Sequence, residues 1–254
     1  MRRSFLALIA GLVLIPITGV TQTYPDRPVR IVIPFAAGGS LDVVARAVGQ
    51  PFQAESGQPL VLDNRGGAGG TIAAEHVARS RPDGYTLILA SAGQIGIAKA
   101  LYPNLTYNVE TDLVPITHLV NSPFTLFVAA NFPAKTLTEV IAQGRANPGR
   151  IPFGSPGNGS IGHLALEMFA QATGTTWLHV PYRGAAQVMN DMLAGTVRLT
   201  FTVPASAKPH VDSGRMRVIA VTGSVRSGVM PDVPTFAELG YPSVDAPLWL
   251  GVMA

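Results

Sequence analysis

The chain has 254 residues, of which 47% are hydrophobic and only 13% charged; this excludes a disordered polypeptide and leaves room for one large domain or two smaller ones with real cores. The formal net charge is +3, but setting aside Arg2 and Arg3 leaves 16 basic against 15 acidic residues, and the arginines are scattered, so there is no nucleic-acid footprint. The absence of cysteine excludes disulfides, thiol nucleophiles, thiolate zinc sites and iron–sulfur clusters.

The N-terminus, "MRRSFLALIAGLVLIPITGV", has two arginines, an apolar run broken by Pro16, and then small and polar residues. It has the shape of a secretory signal peptide, assigned to residues 1–23, with cleavage expected between Gly19 and Thr23; the run from Phe5 to Ile15 is short for a membrane anchor. "RRSFL" also resembles a twin-arginine signal with a short basic region.

Beyond residue 23, short β-branched runs alternate with helix-like stretches. "VRIVIPF" (29–35) predicts a buried strand, and "SLDVVARAVGQPFQAES" (40–56) a helix that Ser40 is placed to cap. "PLVLDN" (59–64) and "YTLILAS" (85–91) predict further strands, with "GTIAAEHVARS" (70–80) as the helix between them. This β-α-β-α-β rhythm predicts a parallel sheet with right-handed crossovers. From Leu113 the texture changes: "LVPITHLV" and "FTLFVAA" are two apolar runs with no helix between, as where a chain passes from one domain to another. The rhythm then restarts with a helix from Thr136, a strand near Ile151, a helix from Ser160, a strand at 176–180, a helix at 185–195 and a strand at 197–203. "MRVIAVTG" (216–223) is placed to carry the chain back towards the first unit. The pattern favours two α/β lobes with a cleft between them over a single doubly wound sheet.

Ligands of open parallel sheets sit beyond the carboxyl ends of strands. The loops there are "PFAAGGSLD" (34–42), "SAGQ" (91–94), "GSPGNGSIGH" (154–163) and "PYRG" (181–184). Two of them, one in each half, are small-residue loops entering a helix, which present backbone N–H groups and the hydroxyls of Ser40, Ser155 and Ser160 to an anion. Neither has dinucleotide-site or P-loop spacing. Asp42 lies in the first turn of its helix, where a carboxylate favours the helix dipole or accepts from a ligand donor or water. His163 and Glu167 stand four apart, a spacing that metal sites use, but without a second pair they read as a packing histidine and a solvent-facing carboxylate, so no metal and no cofactor are expected. Ser160 is not in a G-x-S-x-G elbow, although a secreted serine hydrolase built on Ser160 and His163 stays open as an alternative.

Six stretches in order, "YPDRPVRIVIPFAAGGSLDVVAR", "DNRGGAGGTIAA", "PDGYTLILAS", "FGSPGNGSIGHLALEMF", "HVPYRGAAQVMNDMLAG" and "MPDVPTFAELGYP", resemble the solute-binding proteins of tripartite tricarboxylate transporters, the Bug (Bordetella uptake gene) family. The resemblance implies a monomeric, non-catalytic receptor of the Gram-negative periplasm, with a two-lobed, type II-like binding-protein fold. It closes on a small carboxylate (a di- or tricarboxylate, an acidic amino acid or an aromatic acid) and hands it to membrane permease subunits; a ligand-presenting receptor for a membrane sensor is the other role considered. It implies lobe 1 at 24–115 and 224–254, and lobe 2 at 116–223. Carried over by motif, the binding residues are Phe35, Gly38, Gly39, Ser40, Asp42, Ser91 and Gly93 in the first lobe. In the second they are Ser155, Gly157, Gly159, Ser160 and His163, with Tyr182 on the cleft wall. Two positions depart from the family pattern: Ala37 and Gly66 stand where proline is usual. The chain also stops at "PLWLGVMA" where the family continues into a tail covering the first lobe. An apolar last strand is therefore expected to leave surface uncovered, with poor solubility or a low-melting first lobe.

Overall fold

The β-branched run from Val29 to Ile33 is buried at every position but one, as a strand covered on both faces must be. In a computed structural model that describes residues 23–254, it forms the inner part of the first of two sheets. The expected signal segment, apart from Thr23, lies outside the described residues. In chain order the elements are β1 (Val29–Ile33), α1 (Ser40–Ser56), β2 (Leu60–Asn64), α2 (Thr71–Ala78), β3 (Thr86–Ala90), and two short helices, α3 (Ala98–Leu101) and α4 (Val109–Asp112). Then come β4 (Pro115–Ser122), β5 (Thr125–Ala129), α5 (Leu137–Ala146), β6 (Pro152–Ser155), α6 (Ile161–Thr173), β7 (Leu178–Pro181), α7 (Ala185–Ala194), β8 (Leu199–Thr202), α8 (Pro204–Asp212), β9 (Met216–Val221) and β10 (Leu248–Met253).

The first sheet has the order β2-β1-β3-β10-β4 and the second β7-β6-β8-β5-β9. The strands expected to run parallel do so: β1 pairs in parallel with β2 and β3, and β6 with β7 and β8. The later strands reverse direction. β10 is antiparallel to both β3 and β4, and β5 is antiparallel to both β8 and β9. The chain thus changes sheet twice, between β4 and β5 and again between β9 and β10.

Several expectations change at this level. All of β4 belongs to the first sheet, so the passage between sheets falls at 123–124 rather than at 115–116. β9 stays in the second sheet, and the return is made by residues 222–247. The apolar last strand is not an edge: β10 sits between β3 and β4, paired on both sides. α8 is an element that the sequence pattern conceals: Pro204 at its start suits a first helical turn, but Pro209 inside it and a weak apolar pattern hide it.

The largest buried cluster runs through both sheets, from Ile31, Ile33 and Leu89 to the aromatic group Phe153, Phe169, Trp177, Phe201 and Phe236. Phe153 stacks on Phe201 and Phe169 on Trp177, with ring centroids 5.6 and 5.7 Å apart. Each fully buried side chain of this size stabilises the fold by about 1.5–3 kcal/mol. The second lobe is therefore a rigid base for its loops. Among the described residues, no helix is long and apolar enough to cross a membrane.

Candidate functional site

Where the carboxyl ends of the two sheets face each other, their loops touch. The Ala36 N–H donates to the Arg183 carbonyl at 3.1 Å, and the Tyr102 hydroxyl to the Asn158 carbonyl at 3.2 Å. Glycine makes this approach possible. A Cβ on Gly66 would lie 2.8 Å from the Arg183 oxygen, and one on Gly69, whose φ is 63°, would overlap the Asn158 oxygen.

Behind the seam lies a cavity in which the centre of a water molecule has about 30 Å³ to occupy. Phe35, Ala36, Gly39, Ser40, Leu41 and Asp42 line it from the first lobe, with Ser91 and Leu248; Phe124, Pro156, Ser160, Ile161, Ala185 and Thr202 line the rest. Its walls carry hydroxyls, backbone amides and apolar faces, and no Lys or Arg.

The first-lobe side is held by polar anchors. Ser40 is the first residue of α1 rather than its cap; Gly39 is the cap, and among the described residues no side chain caps the helix. Asp42 instead reaches back: its Oδ2 accepts from the Gly38 N–H at 3.1 Å and from Arg46 Nε at 2.9 Å. Burial alone would raise the Asp42 pKa, but the hydrogen bonds from Arg46, Gly38 and Asn64 outweigh it and hold the carboxyl below its ordinary value. Asn64 also donates to the Phe35 carbonyl at 3.1 Å. Gln94, fully buried, accepts from the Ser91 N–H and hydroxyl, each at 3.0 Å, and donates to the Gly69 carbonyl at 2.7 Å.

The second-lobe side satisfies itself. Ser160 caps α6: its Oγ accepts from the His163 N–H at 3.3 Å and donates to the Gly157 carbonyl at 2.7 Å. His163 Nδ1 accepts from the Gly159 N–H at 3.3 Å, while its Nε2 lies 3.5 Å from Glu167. Ser155 Oγ accepts from the Gly157 N–H at 3.2 Å and lies 2.6 Å from His179 Nε2. Gly157 has φ 137°, and a Cβ there would sit 2.9 Å from the Tyr182 carbonyl.

Of the residues read from the sequence, Phe35, Gly39, Ser40, Asp42, Ser91 and Ser160 come together around the cavity. Gly38 faces Ala186 and Gly93 faces the Gly159 carbonyl, both on the seam, as is Gly159 itself. Ser155, Gly157 and His163 lie behind the lining, where they shape the second loop. Tyr182 does not line the cavity; its hydroxyl donates to Asp191 at 2.6 Å, and burial together with that carboxylate pushes its pKa up to about 12. The Ser160–His163 side-chain pair that a hydrolase needs is not assembled, because each side chain is engaged with the loop backbone. His163 and Glu167 pair with each other, and among the described residues no group of three or more ligating side chains could hold a metal ion. The cavity also draws on Phe124, Thr202 and Leu248, which the sequence reading missed. Thr202 ends a parallel strand, so the strand-end rule could have found it; Phe124 stands at the crossing between sheets.

Residues 44–254 match the family described as tripartite tricarboxylate transporter family receptor. The chain is 39% identical over 234 residues to Protein BugT of Bordetella pertussis, an alignment spanning 92% of this chain and 72% of BugT. The solved structure of the periplasmic binding protein BugD is similar at a TM-score of 0.87 and 37% identity, covering 91% of this chain and 77% of BugD. MatC from Rhodopseudomonas palustris, solved with bound malate, is similar at the same TM-score and 32% identity, over 91% of this chain and 79% of MatC.

Proposed function

This chain belongs to the tripartite tricarboxylate transporter receptor family, and from that premise we propose that it captures a small dicarboxylate in the periplasm by lobe closure and delivers it to the membrane subunits of a transporter. The family and its structural neighbours are binding proteins rather than enzymes. One observation carries the reading. The cavity lies between the starts of α1 and α6, is ringed by the hydroxyls of Ser40, Ser91, Ser160 and Thr202, and has no cation in its lining. Backbone N–H groups and hydroxyls at helix N-termini suit a carboxylate and hold it without an ion pair, which favours release. Phe35, Leu41, Phe124, Ile161 and Leu248 provide apolar walls for a short carbon chain.

Malate in the related MatC supports a dicarboxylate as the ligand class. The loops of the two lobes touch across the mouth of the cavity, Ala36 on Arg183 and Tyr102 on Asn158. Binding therefore begins with the lobes apart, and the two crossings, at 123–124 and 222–247, are the proposed hinges. The test is thermal unfolding of the chain against mono-, di- and tricarboxylates, acidic amino acids and aromatic acids. A ligand at about 100 times its Kd adds roughly 2.7 kcal/mol and raises Tm. Dicarboxylates should give the largest shift, and small-angle scattering should show a more compact liganded form. A transition that no carboxylate moves would overturn the reading.

A further inference from the structure

The second-lobe loop is braced at both ends by histidines that also touch each other. His179 on β7 meets Ser155 at the start of the loop at 2.6 Å, and His163 on α6 takes the Gly159 N–H near its end at 3.3 Å. The two imidazoles stack with centroids 4.2 Å apart and planes 15° from parallel. Ser155 is fully buried, and Ser160, which lines the cavity, hangs its hydroxyl on the Gly157 carbonyl between the two braces.

The hydrogen bonds constrain the protons. A backbone N–H can only donate, so His163 Nδ1 is an acceptor and its proton sits on Nε2, towards Glu167. Ser155 Oγ already accepts from the Gly157 N–H, and the shorter path for its own proton is to His179 Nε2 at 2.6 Å rather than to the Gly157 carbonyl at 3.4 Å. His163 is therefore neutral when the loop is in place, and His179 is neutral when it takes the Ser155 proton. We propose that His163 and His179 are positioning residues for carboxylate binding: as a stacked neutral pair they hold the 155–160 loop in its binding shape, and protonating His179 releases it. The inference rests on the carboxylate-receptor reading above.

Facing His179 are His163 from α6, with Glu167 beyond it on the same helix, and the Ser155 hydroxyl from β6. A proton on His179 Nε2 turns the acceptor of the Ser155 hydroxyl into a donor and sets a cation face to face with His163. Burial, with His163 beside it, already pushes the His179 pKa down to about 4. Carboxylate affinity should accordingly fall as pH drops through the titration of His179.

The experiment compares the full chain with H179A and H179Q, measuring malate binding by calorimetry from pH 8 to pH 4, alongside ¹⁵N NMR of the imidazoles without ligand. Malate's own protonation is common to all three proteins and cancels in the ratio of their affinities. H179A should bind about tenfold more weakly at pH 7.5, the loss of about one buried hydrogen bond. H179Q, whose amide oxygen can still accept from Ser155 but cannot titrate, should recover most of that loss and gain on the wild type as pH falls. The spectra should show His163 protonated on Nε2 and His179 titrating far below an ordinary histidine. An unchanged affinity in H179A, an H179Q as weak as H179A, or a His179 that titrates normally would each overturn the proposal. If no carboxylate binds the wild type at pH 7.5, the receptor reading fails instead, and the NMR arm still decides whether the neutral pair exists.

Discussion

The helices that meet at the cavity begin in opposite ways. α6 is capped by its own Ser160, whose hydroxyl both accepts from His163 and donates to Gly157. α1 starts after Gly39 with no side-chain cap among the described residues. Its first intrahelical bond is from the Val43 N–H, which leaves those of Ser40, Leu41 and Asp42 beside the cavity without an intrahelical acceptor. A donor left buried and unmet costs about 1–3 kcal/mol, a penalty that the proposed carboxylate would remove. The second lobe thus has a finished loop on an aromatic base. The first lobe has an unfinished helix end, kept in place by polar anchors further back.

If those anchors hold the first loop, removing the deepest should have the largest effect. Gln94→Ala leaves the buried Ser91 N–H and the Gly69 carbonyl without the partners they now have. The expected cost is about 3 kcal/mol, read by denaturant unfolding, with the transition of the first lobe moving first. A loss below about 1 kcal/mol would mean that the loop is held by packing alone.

The same small substitution in the two loops separates their roles more sharply. Ser160→Ala removes a helix cap and should cost about 1–2 kcal/mol of stability. Ser40→Ala removes a hydroxyl with no partner among the described residues and should leave stability within about 0.5 kcal/mol. Its effect should fall on binding, as roughly a tenfold loss of carboxylate affinity by calorimetry. Equal stability losses in the two variants would erase the distinction between a capped and an open helix.

The contrast also explains what could be read in advance. Runs such as "VRIVIPF" and "YTLILAS" announce buried strands because every position but Arg30 and Ser91 is apolar or β-branched, and the rule of strand carboxyl ends then points to both loops. The loops came out as places, not as contacts. Ser40 reads as a cap because serine before an apolar-periodic run usually is one; in the fold glycine takes the cap position and Asp42 satisfies the Gly38 N–H from inside the helix. His163 and Ser155 lie within the right motif but behind the lining, because a motif does not say which way a ring turns. Leu248 reaches the cavity only because β10 inserts between β3 and β4, a pairing that joins residues more than a hundred positions apart. Nothing local encodes that.

The smallest of the expected effects separates the lobes by charge. Within the first loop Asp42 is a carboxylate with its pKa lowered below the ordinary value of 3.8, whereas the 155–160 stretch contains no acidic residue. A depressed carboxyl pKa means that the unfolded chain binds the proton more tightly. The stabilisation is therefore complete above the unfolded value and is lost as pH falls through the folded one. Wild-type stability should bend downward below about pH 4 in part for this reason. Asp42→Asn should remove that part of the bend and lower stability near neutral pH by about 1 kcal/mol or less, because Arg46, its partner, is exposed and screened. Ser160→Ala should instead shift the whole stability curve down without changing its acid slope, since a hydroxyl carries no titration. Thermal melts between pH 3 and pH 8 distinguish the two. If Asp42→Asn kept the wild-type acid limb, the carboxylate would not be what ties Gly38 to α1, and the first loop would owe its shape to the buried Gln94 and the half-buried Asn64 instead.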